Sequence, residues 1–395
     1  MKVCGVVAEY NPFHNGHMYH LQEARNKTGA DLLIVAMSGN FLQRGEPAII
    51  DKWLRAQAAL SNGADIIVEL PASFSVQPAD IFAKGAVELL IELGIDVLSF
   101  GSESGDGADF IESASIYLEK ESEIDELFYK EQEQKLTYAK NMSQILSKYV
   151  PEITLDLSEP NNILGFAYAK ELVKHDRSVS IQTVKRKSTH YHDKELSAGG
   201  QIASATAIRK KIFSQDKWID SGELPFPQST RDSLKNSTLV NWDAFFPHLK
   251  YRIMTISLEE LSNIYLMEQG LEYRLKSVIK EAGSMTEFLT ALKTKQLSWT
   301  RLQRLCFYIL LDQTKEKMHQ RIETVDYIRL LGFNAYGQDY LSKIKKRLIK
   351  PLITNISQKN SAMAEYDILV GEIYRLADQN RIISQDFKRK PIKMN

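Results

Sequence analysis

Five short runs of almost unbroken apolar residues, at 2–8, 32–37, 65–69, 97–100 and 179–184, alternate with stretches of helical period through the first half of the chain. This rhythm restricts the fold more than any other feature. A strand that is apolar at successive positions has both faces covered, as in parallel sheets flanked by crossover helices. Residues 16–27, 52–62, 78–93 and 163–174 carry apolar side chains at the three and four spacing of amphipathic helices. The pattern predicts an α/β protein whose N-terminal domain, residues 1–215, is a Rossmann-like parallel sheet.

Residues 109–150 are charged, helical in period and free of Gly and Pro, which predicts a helical insertion. Pro225, Pro227 and Ser229 mark a linker over 216–240, and 241–395 reads as an all-helical C-terminal domain. Lys+Arg and Asp+Glu balance at 50 each, so net charge neither favours nor disfavours a nucleic acid partner. Their distribution is uneven: residues 301–395 hold 18 Lys/Arg against 10 Asp/Glu, and the C-terminal quarter is the basic end. Cys4 and Cys306 are far apart in apolar surroundings, which argues against a disulfide framework or a thiolate metal site. The first apolar run is too short for an export signal, no run reaches the roughly 18 residues of a membrane span, and a cytoplasmic protein is expected.

The strongest local signal follows the first strand and opens the first helix: Glu9-Tyr-Asn-Pro-Phe-His14-Asn-Gly-His17. Ligands of an open parallel sheet sit at the carboxyl ends of its strands, where the next helix offers unpaired N–H groups and the positive end of its dipole to an anion. Gly16 lets a ligand approach the backbone, and His14 and His17 project from one face of the first turn. Held imidazole donors suit a phosphate under attack, because charge grows on its oxygens in the transition state. Two other readings remain: structural histidines capping a helix, and zinc held by His14, His17 and His20, for which no cysteine or spaced carboxylate completes a tetrahedral set. Further along, Ser204 and Thr206 precede Arg209 and Lys210, so a capped helix could present hydroxyls and N–H groups to a phosphate, with Arg209 neutralising the pyrophosphate leaving group. An ordinary capped helix with a basic face explains the same residues.

His14-Asn15-Gly16-His17 resembles the HxGH signature of the nucleotidyltransferase superfamily, and the 202–210 segment resembles its second signature. Stretches beginning at Val6, Met37, Phe100, Glu159 and Lys185 further resemble the bacterial tRNA(Met) cytidine acetate ligases over most of the N-terminal domain. That resemblance implies that ATP and acetate become acetyl adenylate, and that the acetyl group passes to N4 of the wobble cytidine of elongator tRNA(Met). It implies catalytic His14 and His17. It also implies an ATP site made of Val7-Ala8-Glu9-Tyr10-Asn11-Pro12-Phe13-His14-Asn15-Gly16-His17-Met18-Tyr19-His20 with Gly101, Asn161, Asn162, Arg186, Ser204, Thr206 and Arg209. One of Asn161 and Asn162 is expected to cap the helix that follows, leaving the other for ligand. Mg2+ is expected to accompany the triphosphate, although no carboxylate cluster marks a metal site.

Gln43, Arg44 and Glu46, with Gly45 and Pro47, have the composition of a substrate loop, here expected as a lid; Lys52 and Arg55 read as surface charges or ligand-facing cations. Lys343, Lys345, Lys346 and Arg347, in a stretch of five cations over eight residues, are the expected RNA contacts, with the basic tail at 388–393; a solvated helix face is the alternative. Two rival functions share these motifs: a small-molecule adenylyltransferase, and an RNA-binding protein that has kept a nucleotide fold. The C-terminal domain argues against the first, and the intact histidine pair against the second.

Overall fold

The computed structural model describes residues 1–103, 106–131, 138–175, 178–185, 203–214, 219 and 224–394. Strands β1 (Val3–Ala8), β2 (Leu32–Ser38), β3 (Ile66–Leu70), β4 (Val97–Ser102) and β5 (Ser180–Lys185) lie where the apolar runs predict them. They pair in parallel in the order β5-β4-β1-β2-β3. The chain runs outward from β1 through β2 to β3, then returns to the other side of β1 with β4. This reversal opens a crevice at the carboxyl ends of β1 and β4, where such sheets bind ligands.

Alternate residues of each strand feed two cores. Cys4, Val6, Leu33, Val35 and Met37 pack under helices α1 (Asn15–Thr28) and α2 (Lys52–Leu60). Val3, Leu32, Ile34, Ile66, Val68 and Leu98 pack under α4 (Ala79–Glu92), which follows the short α3 (Ala72–Ser75), and under α5 (Gly107–Glu119) and α8 (Pro160–Lys174). Between α5 and α8 lie α6 (Glu121–Glu131) and α7 (Tyr138–Tyr149). The 109–150 stretch is helical, but its first part covers the sheet: Phe110, Ala114 and Tyr117 are buried in this core. Both cysteines are buried and free.

After α9 (Ala205–Ser214) and α10 (Gln228–Lys235), helices α11 (Phe246–Thr255), α12 (Leu258–Ser262), α13 (Leu271–Glu281), α14 (Met285–Leu292), α15 (Trp299–Leu310) and α16 (Lys315–Arg321) form a third core with α18 (Glu365–Arg375). Phe41, from the loop after β2, and Ala72 and Val76, at the two ends of the short α3 that follows β3, are buried in it. The expected all-helical C-terminal part is corrected in one respect. It returns three strands to the sheet: β6 (Ile328–Phe333), antiparallel to β3, with β7 (Leu352–Ile353) and β8 (Ile392–Lys393) beside β6. Local periodicity hides β6 because it is interrupted by Arg329 and Gly332, and its partner lies some 260 positions earlier in the chain. Helix α17 (Ala335–Ile344) follows it.

The two ends of the chain are also joined by buried charge. Lys52 Nζ lies 2.8 Å from both carboxylate oxygens of Glu69 on β3 and 2.9 Å from Asp386 Oδ1, and all three side chains are at most 5% exposed. Trp53 Nε1 donates to Gln385 O at 2.6 Å, and Asn40 Nδ2 donates to Gln385 Oε1 at 3.1 Å. Lys52 is therefore neither a surface charge nor ligand-facing. Burial pushes the Glu69 carboxyl up from its ordinary 4.5 to about 7, against the pull of Lys52. A carboxyl raised on folding adds stability at low pH and loses that contribution as pH rises through its folded value. The stability of the parent relative to Glu69→Gln should therefore fall between about pH 5 and pH 8, as measured by urea titrations at several pH values. A difference that stays flat across that window contradicts the assignment.

Candidate active site

Beyond β1 the chain turns sharply: Tyr10 sits in the left-handed region with φ 51, a strained conformation for a bulky residue, and its ring is buried. Asn11 Oδ1 accepts from Ile49 N at 2.8 Å, and Phe13 is buried in the core under α1. These anchors deliver His14 to the N-cap of α1. Its Nδ1 accepts from Gly16 N at 3.0 Å, while His17 Nδ1 accepts from His14 N at 3.2 Å. The rings stack with centroids 3.6 Å apart. The two histidines therefore cap the helix reciprocally, and a neutral ring whose Nδ1 accepts carries its proton on Nε2. Capping engages the Nδ1 edge of each ring. His20, one turn on, lies 3.3 Å through Nε2 from Ser99 Oγ of β4. Among the described residues no group of three or more His, Cys, Asp or Glu is placed to hold a metal ion.

The loop after β2 is a clamp rather than a lid. Leu42 N donates to Glu46 O at 3.0 Å, and Phe41 and Pro47 form an antiparallel bridge. From one side, Gln43 N donates to Glu9 Oε1 at 2.8 Å, and Arg209 spans Asn11 O at 2.8 Å and Glu46 Oε1 at 2.7 Å. From the other, α15 holds it through Arg304 Nε to Gln43 O at 2.6 Å and Gln303 Nε2 to Arg44 O at 2.9 Å. Burial pushes the Glu9 carboxyl up, and lowers Arg304 to about 10. Behind the loop Arg55 is fully buried. It donates to the carbonyls of Glu9 at 2.6 Å, Ser38 at 3.0 Å and Ile50 at 3.1 Å, and also to Gly39 O. Like Lys52, it faces protein and not ligand.

At β4, Ser102 Oγ donates to Asn162 Oδ1 at 2.8 Å, and Asn162 Nδ2 donates to Asp156 O at 3.0 Å; Asn161 Nδ2 donates to Glu103. The N-cap of α8 is Glu159, with Pro160 in the first turn, so the expectation that an asparagine caps this helix is corrected. Proline is favoured at the first helical position and moves the start of the helix ahead of both asparagines. Ser204 does cap α9, accepting from Ala207 N at 3.2 Å.

These elements surround a cleft of about 1130 Å³ at the crevice beside β1 and β4. Of the residues expected at the ATP site, Val7, Ala8, Glu9, Tyr10, His14, Gly16, His17, Tyr19, His20, Gly101, Asn161, Ser204, Thr206 and Arg209 line it. Asn11, Pro12, Phe13, Asn15, Met18 and Asn162 do not line it, and Asn11, Phe13 and Asn162 act from behind as supports. Arg186 lies outside the described residues. Sequence reasoning missed two walls. One is apolar, with Phe82, Phe128, Ile163, Leu164 and Tyr168; the other is cationic, where Lys295, Arg301 and Arg304 join Arg44 of the loop that the sequence did mark. Neither carries a local motif.

The basic stretch lies elsewhere. Tyr340 of α17 donates to Leu93 O at 2.8 Å, and Asn334 Nδ2 donates to Asp65 Oδ1 at 2.7 Å, which places α17 at the amino ends of β3 and β4. Lys343 pairs with Asp339 at 2.6 Å, while Lys345, Lys346 and Arg347 are exposed just past the helix. A six-residue strand separates this edge from the cleft by roughly 20 Å, at about 3.3 Å per residue.

Five parallel strands with their switch point at β1, a histidine pair on the first helix and a deep cleft beside them define a nucleotidyltransferase of the HIGH type. Comparisons agree. The family model described as HIGH Nucleotidyl Transferase matches residues 1–390. A protein of Bacillus licheniformis named tRNA(Met) cytidine acetate ligase is 41% identical, with 100% of this chain and 97% of that protein covered. One of the same name from Bacillus subtilis is 39% identical over 95% of this chain and 92% of its own length. The crystal structure of apo Thermotoga maritima TmcAL superposes with a TM-score of 0.91 at 30% identity, and TmcAL bound with alpha-thio ATP with 0.88, each covering 100% of both chains. The chain belongs to the tRNA(Met) cytidine acetate ligase family of HIGH nucleotidyl transferases.

The clamp offers a direct test. Gly45 has φ 77, and a Cβ there would run into the backbone of Gln303 and Arg304, whereas Gly63, with φ 111, has open space. Gly45→Ala should cost about 2–3 kcal/mol in denaturant unfolding and Gly63→Ala about 1 kcal/mol, because the second carries backbone strain alone. Equal costs would show that α15 does not bear on the loop.

Proposed function

We propose that this protein is an ATP-dependent acetate ligase that forms acetyl adenylate and transfers the acetyl group to N4 of the wobble cytidine of elongator tRNA(Met), giving N4-acetylcytidine. The observation that carries the reading is the stacked His14–His17 pair, whose Nδ1 atoms are held by the helix and both of whose residues line a cleft at the sheet's switch point. The names of the relatives supply the substrates, and the TmcAL bound with alpha-thio ATP supports the nucleotide.

In the first step an acetate oxygen attacks the α-phosphorus of ATP, the bond to the β-phosphate breaks, and pyrophosphate leaves. His14 and His17 donate to the α-phosphate as its charge grows, while the N-terminus of α1 adds a fixed positive end. Arg209 faces the departing pyrophosphate, and Gly101 and Asn161 bound the adenosine, as does Arg186 in the family resemblance. In the second step N4 of cytidine attacks the acetyl carbon, the carbon–oxygen bond to AMP breaks, and N4 releases a proton. No protein nucleophile is required: burial raises Cys4 to about 12, and both thiols lie in the core. The catalytic contribution is positioning together with stabilisation of charge. Mg2+ is proposed as the counter-ion of the triphosphate, held by the phosphates, since the described residues offer no dedicated carboxylate set.

Pyrophosphate release with ATP, acetate and tRNA, each omitted in turn, followed by mass spectrometry of the tRNA nucleosides, tests this reading. Release that requires acetate, with acetylcytidine formed only when tRNA is present, is expected. AMP joined to a phosphate-bearing metabolite would instead indicate the small-molecule adenylyltransferase. His14→Ala or His17→Ala should slow ATP–pyrophosphate exchange by roughly 100-fold or more. RNA affinity should be much less affected. A mild effect on exchange would remove the pair from the chemistry.

A further inference from the structure

A target base has to reach an acyl adenylate at the floor of the cleft while its strand stays outside. The strand's phosphates then lie along one rim. The apolar wall, with Phe82, Phe128 and Leu164, can take a ring but offers nothing to a phosphate. The wall from the C-terminal half is different in kind. From the α-helical C-terminal half, Leu266 and a short segment from Lys295 to Arg304 reach the cleft among its described lining residues, and that segment carries Lys295, Arg301 and Arg304 beside Gln296, Ser298 and Thr300.

From this arrangement we infer that the loop between α14 and α15, together with the first turn of α15, is the docking lip for a single-stranded RNA loop, with Lys295 and Arg301 on its phosphates. This inference rests on the proposed function and adds where the RNA binds. Four features support it. Lys293 and Lys295 are exposed, and Arg301 is held by Glu268 at 2.5 Å in a pair whose side chains are 38% and 49% exposed. Such a surface pair is worth little and can yield to a phosphate. Ser298 caps a helix of 12 residues whose first turn holds no acid, so the dipole adds to the cations rather than opposing them. Through Arg304 and Gln303 the same helix grips the loop that touches Glu9, so RNA seated on the lip is in register with the adenylate.

The lip also explains how a chain with no net charge holds a polyanion. Affinity then comes from a few local cations at the reaction centre, and a loop rather than a duplex is selected because a base must leave its stack to enter the cleft.

The test compares Lys295→Glu/Arg301→Glu with Lys345→Glu/Lys346→Glu, using unmodified elongator tRNA(Met) as probe. Binding is measured across a salt series, KM and kcat for acetyl transfer are separated, and ATP–pyrophosphate exchange is followed without RNA. The lip variant is expected to raise KM for tRNA by at least about tenfold. It should also reduce the slope of log affinity against log salt by roughly 0.7 for each phosphate that the protein no longer neutralises. Its RNA-independent exchange, which also reports an intact fold, should fall far less than its tRNA affinity. The sheet-edge variant should show the smaller loss of binding. If the lip variant binds tRNA like its parent, or if the sheet-edge variant loses as much, the lip is not the docking site. If the parent itself acetylates no tRNA, the proposed function has failed instead, so the two failures are distinct. Lys295→Gln/Arg301→Gln should fall between the parent and the charge reversal.

Discussion

Two cations buried three residues apart at the start of α2 hold this structure in its working shape. Arg55 gathers the carbonyls of Glu9, Ser38 and Gly39, oxygens where β1 and β2 turn into loops, and that of Ile50 just before α2. Buried carbonyls need donors, and a guanidinium supplies several in one plane. Three residues earlier, Lys52 binds Glu69 and Asp386, tying the third strand to a segment near the end of the chain. Removing either cation would strand buried polar groups, which is far costlier than losing an exposed pair. The loops that form the cleft therefore rest on electrostatics in the core.

From that base the site follows by short links. The carbonyl of Glu9 is fixed by Arg55, and its carboxylate takes the Gln43 N–H. The 41–47 loop is then gripped by α15, which brings the helical half to the edge of the nucleotide cleft. Arg209 closes the circuit between the second signature and the first, through Asn11 and Glu46. A helical half attached in this way gives a small sheet enzyme a second rim, which an adenylyltransferase acting on a small metabolite would not require.

Much of this is legible in the sequence where the signal is local. Strands β1 to β5 announce themselves by unbroken apolar runs, and His14 and His17 by their place between a strand and a helix. What is not legible depends on partners distant in sequence. β6 pairs with β3 across most of the chain. Lys52 and Arg55 look like surface charges until Asp386 and the loop carbonyls surround them. Asn161 and Asn162 look like caps because Asn favours that role, yet Pro160 starts the helix earlier and leaves them to bind Glu103, Ser102 and Asp156. The five cations at 343–350 read as one RNA face, whereas the fold puts them at the opposite edge of the sheet and pairs two of them with Asp339 and Glu88.

The central claim is that the cleft activates a carboxylate by attack on the α-phosphate of ATP. Acetate labelled with ¹⁸O in both oxygens tests it most directly, because the bond made in the first step and the bond broken in the second leave one acetate oxygen on the phosphate. After turnover with tRNA, mass spectrometry should find one ¹⁸O in AMP and none in pyrophosphate. Label in inorganic phosphate, with unlabelled ADP as the other product, is the mark of an acetyl phosphate intermediate and would contradict the account.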